Sequence, residues 1–281
     1  MRVGNLSGRL TLFTEQGAVD VERASDGRFG ADPQAVYDRW DEFTAWAAGN
    51  QGTGTAKPFS AADLGAPAPR PRQVFAVGAN YAAHAAEGRI AVPEFPMVFT
   101  KWPSSLTGPV GDIVLAGDTV DWEVELVAVI GKRARKVPAE RGWDYIAGLT
   151  VGQDLSERTT QLKGGQYTQM GLAKSFEGFS PFGPWVVTLD EFSDPSDLEL
   201  GCTVNGQEMQ KGRTSDLVLS VPALVAFLSE IVTLQPGDVL FTGTPSGVGF
   251  TRTPPVYLQA GDELVSVVEG IGELRQRFVC A

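Results

Sequence analysis

Short apolar runs broken by turn residues dominate this chain of 281 residues, and they predict strands more often than helices. Near the N-terminus, Leu10–Phe13 and Ala18–Val21 flank a polar turn containing Gly17 and read as two short strands. A helix is predicted next. Asp32 can cap it, Pro33 suits its first turn and Gly49 can end it. Val36, Trp40, Phe43 and Ala47 recur at helical spacing and mark one core-facing side. From Gly49 to Pro71 the chain is rich in Gly, Ala and Pro without a period. That stretch reads as a connection between a small N-terminal α+β domain, residues 1–70, and a main body, residues 71–281.

In the body, Val74–Val77 is a predicted buried strand ending at Gly78. Further strands are predicted at Met97–Thr100, Glu123–Ile130, Trp185–Thr188, Val239–Thr242 and Leu264–Val268. Turn signals such as PVGD, PGD and AGD separate them. Helical patterns are fewer, with Pro222–Ile231 the clearest. No strand–helix repeat and no early G-x-G-x-x-G appears, which counts against a dinucleotide-binding fold. The expected class is mixed and mainly β.

Composition narrows the partners. With 23 Lys+Arg against 34 Asp+Glu the formal net charge is −11, which disfavours nucleic acid and anionic membranes. It leaves room for a small anionic substrate, because a bound cation can dominate the local field. Cys202 and Cys280 form no C-x-x-C pair and suggest neither a disulfide framework nor a thiolate metal site. The opening MRVGNLSGRL lacks the apolar core of a signal peptide, and no stretch reads as a membrane span, so the cytoplasm is the default expectation.

The run D-W-E-V-E-L-V-A-V-I, Asp121 to Ile130, carries the most chemical information. Strand alternation puts Glu123 and Glu125 on one face, with Val124 and Leu126 on the other. On a half-exposed strand the pair would simply face solvent. At the mouth of a buried strand the two carboxylates would repel and lose hydration, and a hard divalent cation relieves both costs. Asp154 follows another apolar segment, Ile146 to Val151, and could supply a third oxygen ligand; Asp121 shares the parity of the glutamates and stays open as a ligand or a supporting group. The run holds no His, which disfavours a His-rich zinc site.

His84 is the only histidine, in G-A-N-Y-A-A-H-A-A-E, and Glu87 lies three residues on, sharing its face if the segment is helical. A Glu beside a His can orient the imidazole for acid–base work. Lys174 can neutralise an oxyanion, and Arg158 with Gln161 can hold a carboxylate, although surface roles are open to each. The run FTGTPSGVG offers backbone donors and Thr244 but lacks the ending of a phosphate loop.

Taken together and in order, VFAVGANYAAHAAE, VFTKWPSSLTGP, DWEVELVAVIGK, GLTVGQDLSERTTQ, AKSFEGFSPFGPW, TVNGQEMQ and LQPGDVLFTGTPSGVG resemble the fumarylacetoacetate hydrolase family, especially its bacterial acylpyruvate hydrolase-like members. The resemblance spans residues 71–272. It implies the family's mixed-β catalytic fold and a divalent ion, Mg²⁺ or Mn²⁺, on Glu123, Glu125 and Asp154. It implies a His84–Glu87 lid dyad, an active-site Lys174, substrate contacts from Arg158, Gln161 and Thr244, and a homodimer. Two positions depart from the family pattern. Thr159 stands where relatives often carry Asp, and Ala79 where many carry Leu or Arg.

The activity implied is hydrolysis of a carbon–carbon bond in a 2,4-diketo acid or acylpyruvate, giving pyruvate and a carboxylic acid, with the dyad activating water. Metal-dependent decarboxylation of oxaloacetate or a related 2-oxo acid is the main alternative. Isomerisation or hydration of an unsaturated 2-oxo acid comes next, and a noncatalytic binding protein is the remaining class.

Overall fold

The computed structural model describes residues 1–49, 55–92 and 94–280. Part of the expected connection, residues 50–54, lies outside these. Among the described residues the chain forms an 11-stranded sheet, a 5-stranded sheet and a two-stranded ribbon. The path of the large sheet runs Gly17–Asp20, Arg9–Thr14, Arg2–Leu6, Ser180–Val187, Ile146–Gln153, Val124–Ile130, Val239–Phe241, Val74–Gly78 and Met97–Thr100. The smaller sheet runs Gln207–Arg213, Glu199–Val204, Glu263–Val268, Gly272–Val279 and Val110–Val114. The mixed, mainly-β expectation holds.

The central strand shows why this sequence folds around a site. Every residue of Val124–Ile130 is buried, so both strand faces need cover. Val124, Leu126, Ala128 and Ile130 point into a large core shared with Leu200, Leu264, Leu274 and Phe278 of the smaller sheet. Val127 and Val129 join a second core, which contains Val36, Trp40, Phe43 and Ala47. Glu123 and Glu125 share the parity of Val127 and Val129. The face that carries the carboxylates is therefore continuous with an apolar core rather than with solvent.

The predicted N-terminal helix divides in two. Ala35–Arg39 is a tight 3₁₀ segment and Trp40–Ala48 is α-helical, ending at Gly49. The cap position is Gln34, without a side-chain cap bond, rather than the expected Asp32, whose Oδ1 accepts the Gln34 N–H at 2.9 Å in the turn just before. Arg2↔Val187 and Val3↔Val186 pair the first strand with Ser180–Val187, so the expected lobe of residues 1–70 is joined edge to edge with the body's sheet. Strand forecasts were accurate where apolar runs were compact, as at Met97–Thr100. Glu199–Val204, Gln207–Arg213 and Gly272–Val279 are strands the sequence reading does not predict; Glu, Gln, Lys and Arg alternate with or replace their apolar positions, so no compact apolar run marks them.

Candidate active site and metal centre

Glu123 and Asp154 stand at adjacent strand ends. The Asp154 N–H donates to the Glu123 carbonyl at 2.9 Å, and Val124 pairs with Gln153, which fixes the register that brings the two side chains together. Where the ladder runs out, side chains take over. Gln153 Oε1 accepts the Glu123 N–H at 2.8 Å while its Nε2 donates to Ser266 Oγ at 2.8 Å. Gln210, arriving from the smaller sheet, accepts the Val124 N–H at 2.9 Å and donates to Thr244 Oγ1 at 2.8 Å. Thr244 in turn donates to the Val124 carbonyl at 2.8 Å. These bonds hold rigid the backbone that carries both glutamates.

Ligand oxygens of Glu123, Glu125 and Asp154 lie within 4.8 Å of one another, all buried. Their other neighbours are cationic. Lys174 Nζ donates to Glu123 Oε2 at 2.7 Å and to Asp154 Oδ2 at 2.6 Å. Arg158 Nη2 donates to Glu123 Oε1 at 2.7 Å. Lys101, fully buried, donates to Asp154 Oδ1 and, at 3.2 Å, to the Phe179 carbonyl. Glu125 is the exception, since its hydrogen bond comes from the Gly243 N–H at 2.8 Å.

The electrostatics follow. Burial pushes the Glu125 carboxyl well above its ordinary range, and the negative charges of Asp154 and Glu123 push it further. Glu123 is buried too, but Lys174 and Arg158 outweigh that cost and hold its carboxyl below the usual carboxylate range. Lys174 shows the mirror image, with burial overcome by Asp154 and Glu123 so that its ammonium is favoured. For Lys101 burial wins, with the Lys174 charge helping, and the ammonium is disfavoured despite Asp154.

Asp121, left open by strand parity, serves Arg158. Its Oδ2 accepts from Arg158 Nε at 2.9 Å and Nη2 at 2.7 Å, and from the Phe250 N–H at 2.9 Å. Its Oδ1 accepts the Trp122 and Gly249 N–H groups at 2.8 and 2.7 Å. Arg158 Nη1 also donates to Gln161 Oε1 at 2.8 Å, so the two proposed substrate contacts support each other.

The Ala82–Glu87 helix brings His84 Nδ1 to 2.8 Å from Glu87 Oε1. Glu87 Oε2 accepts the Gly247 N–H at 2.9 Å, which ties the helix to the loop that Asp121 also holds. Burial opposes ionisation of Glu87, but the bonds from His84 and Gly247 hold its carboxyl below the ordinary range. With Nδ1 committed to Glu87, proton exchange falls to Nε2.

One cavity of about 180 Å³ collects His84, Glu123, Glu125, Arg158, Gln161, Lys174 and Thr244. A wider groove of about 870 Å³, lined by Arg2, Trp185, Glu208 and Lys211 among others, gathers no comparable set. Asp154 and Glu87 stand behind the cavity lining and act on it through Lys174 and His84. Lys101 is absent from the sequence-based set. Its only signal is a charged residue directly after the apolar strand Met97–Thr100. Thr159 is exposed and meets Thr119, with its N–H 3.0 Å from the Thr119 hydroxyl, so that departure does not touch the carboxylates.

The family model described as fumarylacetoacetate (FAA) hydrolase C-terminal matches residues 73–279. Oxaloacetate tautomerase Fahd2a, mitochondrial, from Rattus norvegicus is 43% identical over 216 residues, covering 76% of this chain and 68% of that protein. A candidate HpcE protein from Mycobacterium smegmatis is similar over 100% of both chains, with a TM-score of 0.94 and 52% identity. Maleylpyruvate hydrolase from Sphingobium sp. SYK-6, solved with manganese (II) ion and pyruvate, matches over 100% of both chains with a TM-score of 0.82 and 29% identity. No helix among the described residues is long and apolar enough to cross a membrane. The rat protein's name places it in mitochondria, so the cytoplasmic expectation is not one that this relative shares.

Proposed function

The chain belongs to the fumarylacetoacetate hydrolase family, and from that premise we propose that it is a divalent-metal-dependent enzyme hydrolysing a carbon–carbon bond in a 2,4-diketo acid. The products would be pyruvate and a carboxylic acid. The observation that carries the reading is the joining of a buried carboxylate triad and a His84–Glu87 dyad at one cavity.

The residues fit a divalent ion. Four buried carboxylates, Asp121, Glu123, Glu125 and Asp154, face three buried basic side chains, Lys101, Arg158 and Lys174. Glu125 is the carboxylate left without a cationic partner among the described residues, its Oε2 accepting the Gly243 N–H instead. Glu123, Glu125 and Asp154 would hold Mg²⁺ or Mn²⁺, whose oxygen preference suits them. When bound, such an ion supplies Lewis acidity toward the substrate's carboxylate and 2-oxo oxygens.

The chain's own residues supply the rest. Arg158, steadied by Asp121 and Gln161, attracts the acid's negative charge. His84 Nε2 removes a proton from water, with Glu87 stabilising the imidazolium through Nδ1. The hydroxyl oxygen adds to C4, the C3–C4 bond breaks, and its electron pair passes to the pyruvate enolate beside the Lys174 ammonium. His84 then returns the proton to C3. The roles assigned to Thr244 and Gln161 as substrate contacts, and a homodimeric assembly, belong to the same proposal.

A second reading, oxaloacetate tautomerisation, draws on the name of the rat relative. It needs proton transfer at C3 but no attacking water. A panel of acetylpyruvate, fumarylpyruvate and oxaloacetate with Mn²⁺ or Mg²⁺, read by product mass in ¹⁸O-water, separates the readings. The expected result is one ¹⁸O in the released acid, paired with pyruvate. Intact diketo acids alongside faster keto–enol exchange of oxaloacetate would transfer the function to the second reading, and carbon dioxide release would transfer it to decarboxylation.

A further inference from the structure

We propose that the substrate's tail beyond C4 is short, uncharged and apolar, and that the cavity rejects a carboxylate there; this rests on the 2-oxo acid chemistry proposed above. Beside the hydroxyls of Thr168 and Thr251, the cavity lining carries the apolar Val77, Ala79, Ile90, Met97, Met170 and Phe250. A Cβ added to Gly78 would collide with Met97 Cε and stand 3.6 Å from Met170 Cε, so two thioether methyls converge over bare backbone. Ala79 takes φ 54°, a left-handed turn that presents only a methyl to the space. Methionines adapt to ligand length, which suits an alkyl tail.

Charge decides the rest. Among the described residues lining the cavity, the lysine and arginine are Lys174 and Arg158. Lys174 is committed to Glu123 and Asp154, and Arg158 to Asp121, Glu123 and Gln161. Both also serve the substrate's head in the proposed reaction, Arg158 its carboxylate and Lys174 the enolate, which leaves neither for a second carboxylate at the tail. A charged tail would lose hydration against methyl groups, and the neutral hydroxyls of Thr168 and Thr251 would not repay an ionised carboxylate. Space agrees, since the cavity is compact at about 180 Å³.

The test compares 2-oxohexanoate with 2-oxoadipate, which share the 2-oxo acid head and differ at C6. Calorimetry on the Mn²⁺-loaded protein is expected to show 2-oxohexanoate binding at least about 30-fold tighter, in line with pocket discrimination by single groups. Met97→Lys places a flexible cation in the wall and should shrink that ratio by about tenfold or reverse it; Met170→Lys makes the same change if the first variant fails to fold. Equal or tighter binding of 2-oxoadipate by the wild type, binding of neither acid, or an unchanged ratio in the folded lysine variant overturns the inference. Turnover of 2,4-dioxoheptanoate is measured alongside. The expected tail preference without hydrolysis defeats only the hydrolase reading, whereas hydrolysis without the preference defeats only the tail.

Discussion

Replacing Asp121 by Asn keeps the side chain's shape and removes its charge. In the native protein Asp121 is fully buried, with Oδ1 serving two backbone N–H groups and Oδ2 serving Arg158 and the Phe250 N–H. An amide has one oxygen. Turned toward Arg158, it faces its own NH₂ at the Trp122 and Gly249 donors. Two buried N–H groups then lose their acceptor, at about 1–3 kcal/mol each. Arg158 keeps Glu123, which limits the loss on its side. The expected cost is about 3–4 kcal/mol, near the lower end for breaking a buried ion pair. At roughly 2 °C per kcal/mol for a chain of this size, the melting temperature should fall by about 6–8 °C. The loop carrying Val248 and Phe250 lines the cavity, so KM for a 2-oxo acid should rise while metal affinity changes little. Thermal and urea unfolding measure the first effect, and kinetics with metal calorimetry the second. A loss below about 1 kcal/mol would refute the accounting. A collapse of metal affinity would instead make Asp121 a ligand.

His84→Ala should reduce water-dependent cleavage by about 100- to 10,000-fold, the usual worth of a positioned general base, while metal binding persists. Unchanged hydrolysis would sink the role given to the dyad. Glu123→Gln should weaken Mg²⁺ or Mn²⁺ binding, because a charged oxygen ligand is lost. In the wild type, metal at 100 times its Kd should add about 2.7 kcal/mol of stability, and most of that gain should vanish in the variant. Equal affinities by calorimetry would remove Glu123 from the ligand set.

Much of the site was legible because its signals are local. The parity of Glu123 and Glu125 follows from strand alternation, and the i,i+3 spacing of His84 and Glu87 becomes a 2.8 Å contact once the segment is helical. Compact apolar runs such as Met97–Thr100 marked strands for the same reason. Lys101 was illegible, because a lysine is usually exposed and nothing nearby in sequence announces that Asp154 waits 53 positions on. Gln153 and Gln210 are similar cases. Their value lies in satisfying backbone N–H groups where the ladder ends, which only strand pairing reveals.

The sequence by itself determined the chemistry available to this protein: an acidic pair at the head of an apolar strand, one imidazole with a carboxylate beside it, and a mainly-β body to hold them. Tertiary structure alone decided how that chemistry is distributed. It buried the glutamate face against a second core, gave Glu123 two cations and Glu125 none, and turned Asp121 from a candidate ligand into the anchor of Arg158 and the cavity loop. The physical reason is that alternation and helical spacing act over a few residues. The energy of a buried charge depends instead on partners that arrive from tens to more than a hundred residues away, as Gly243 and Gly249 do.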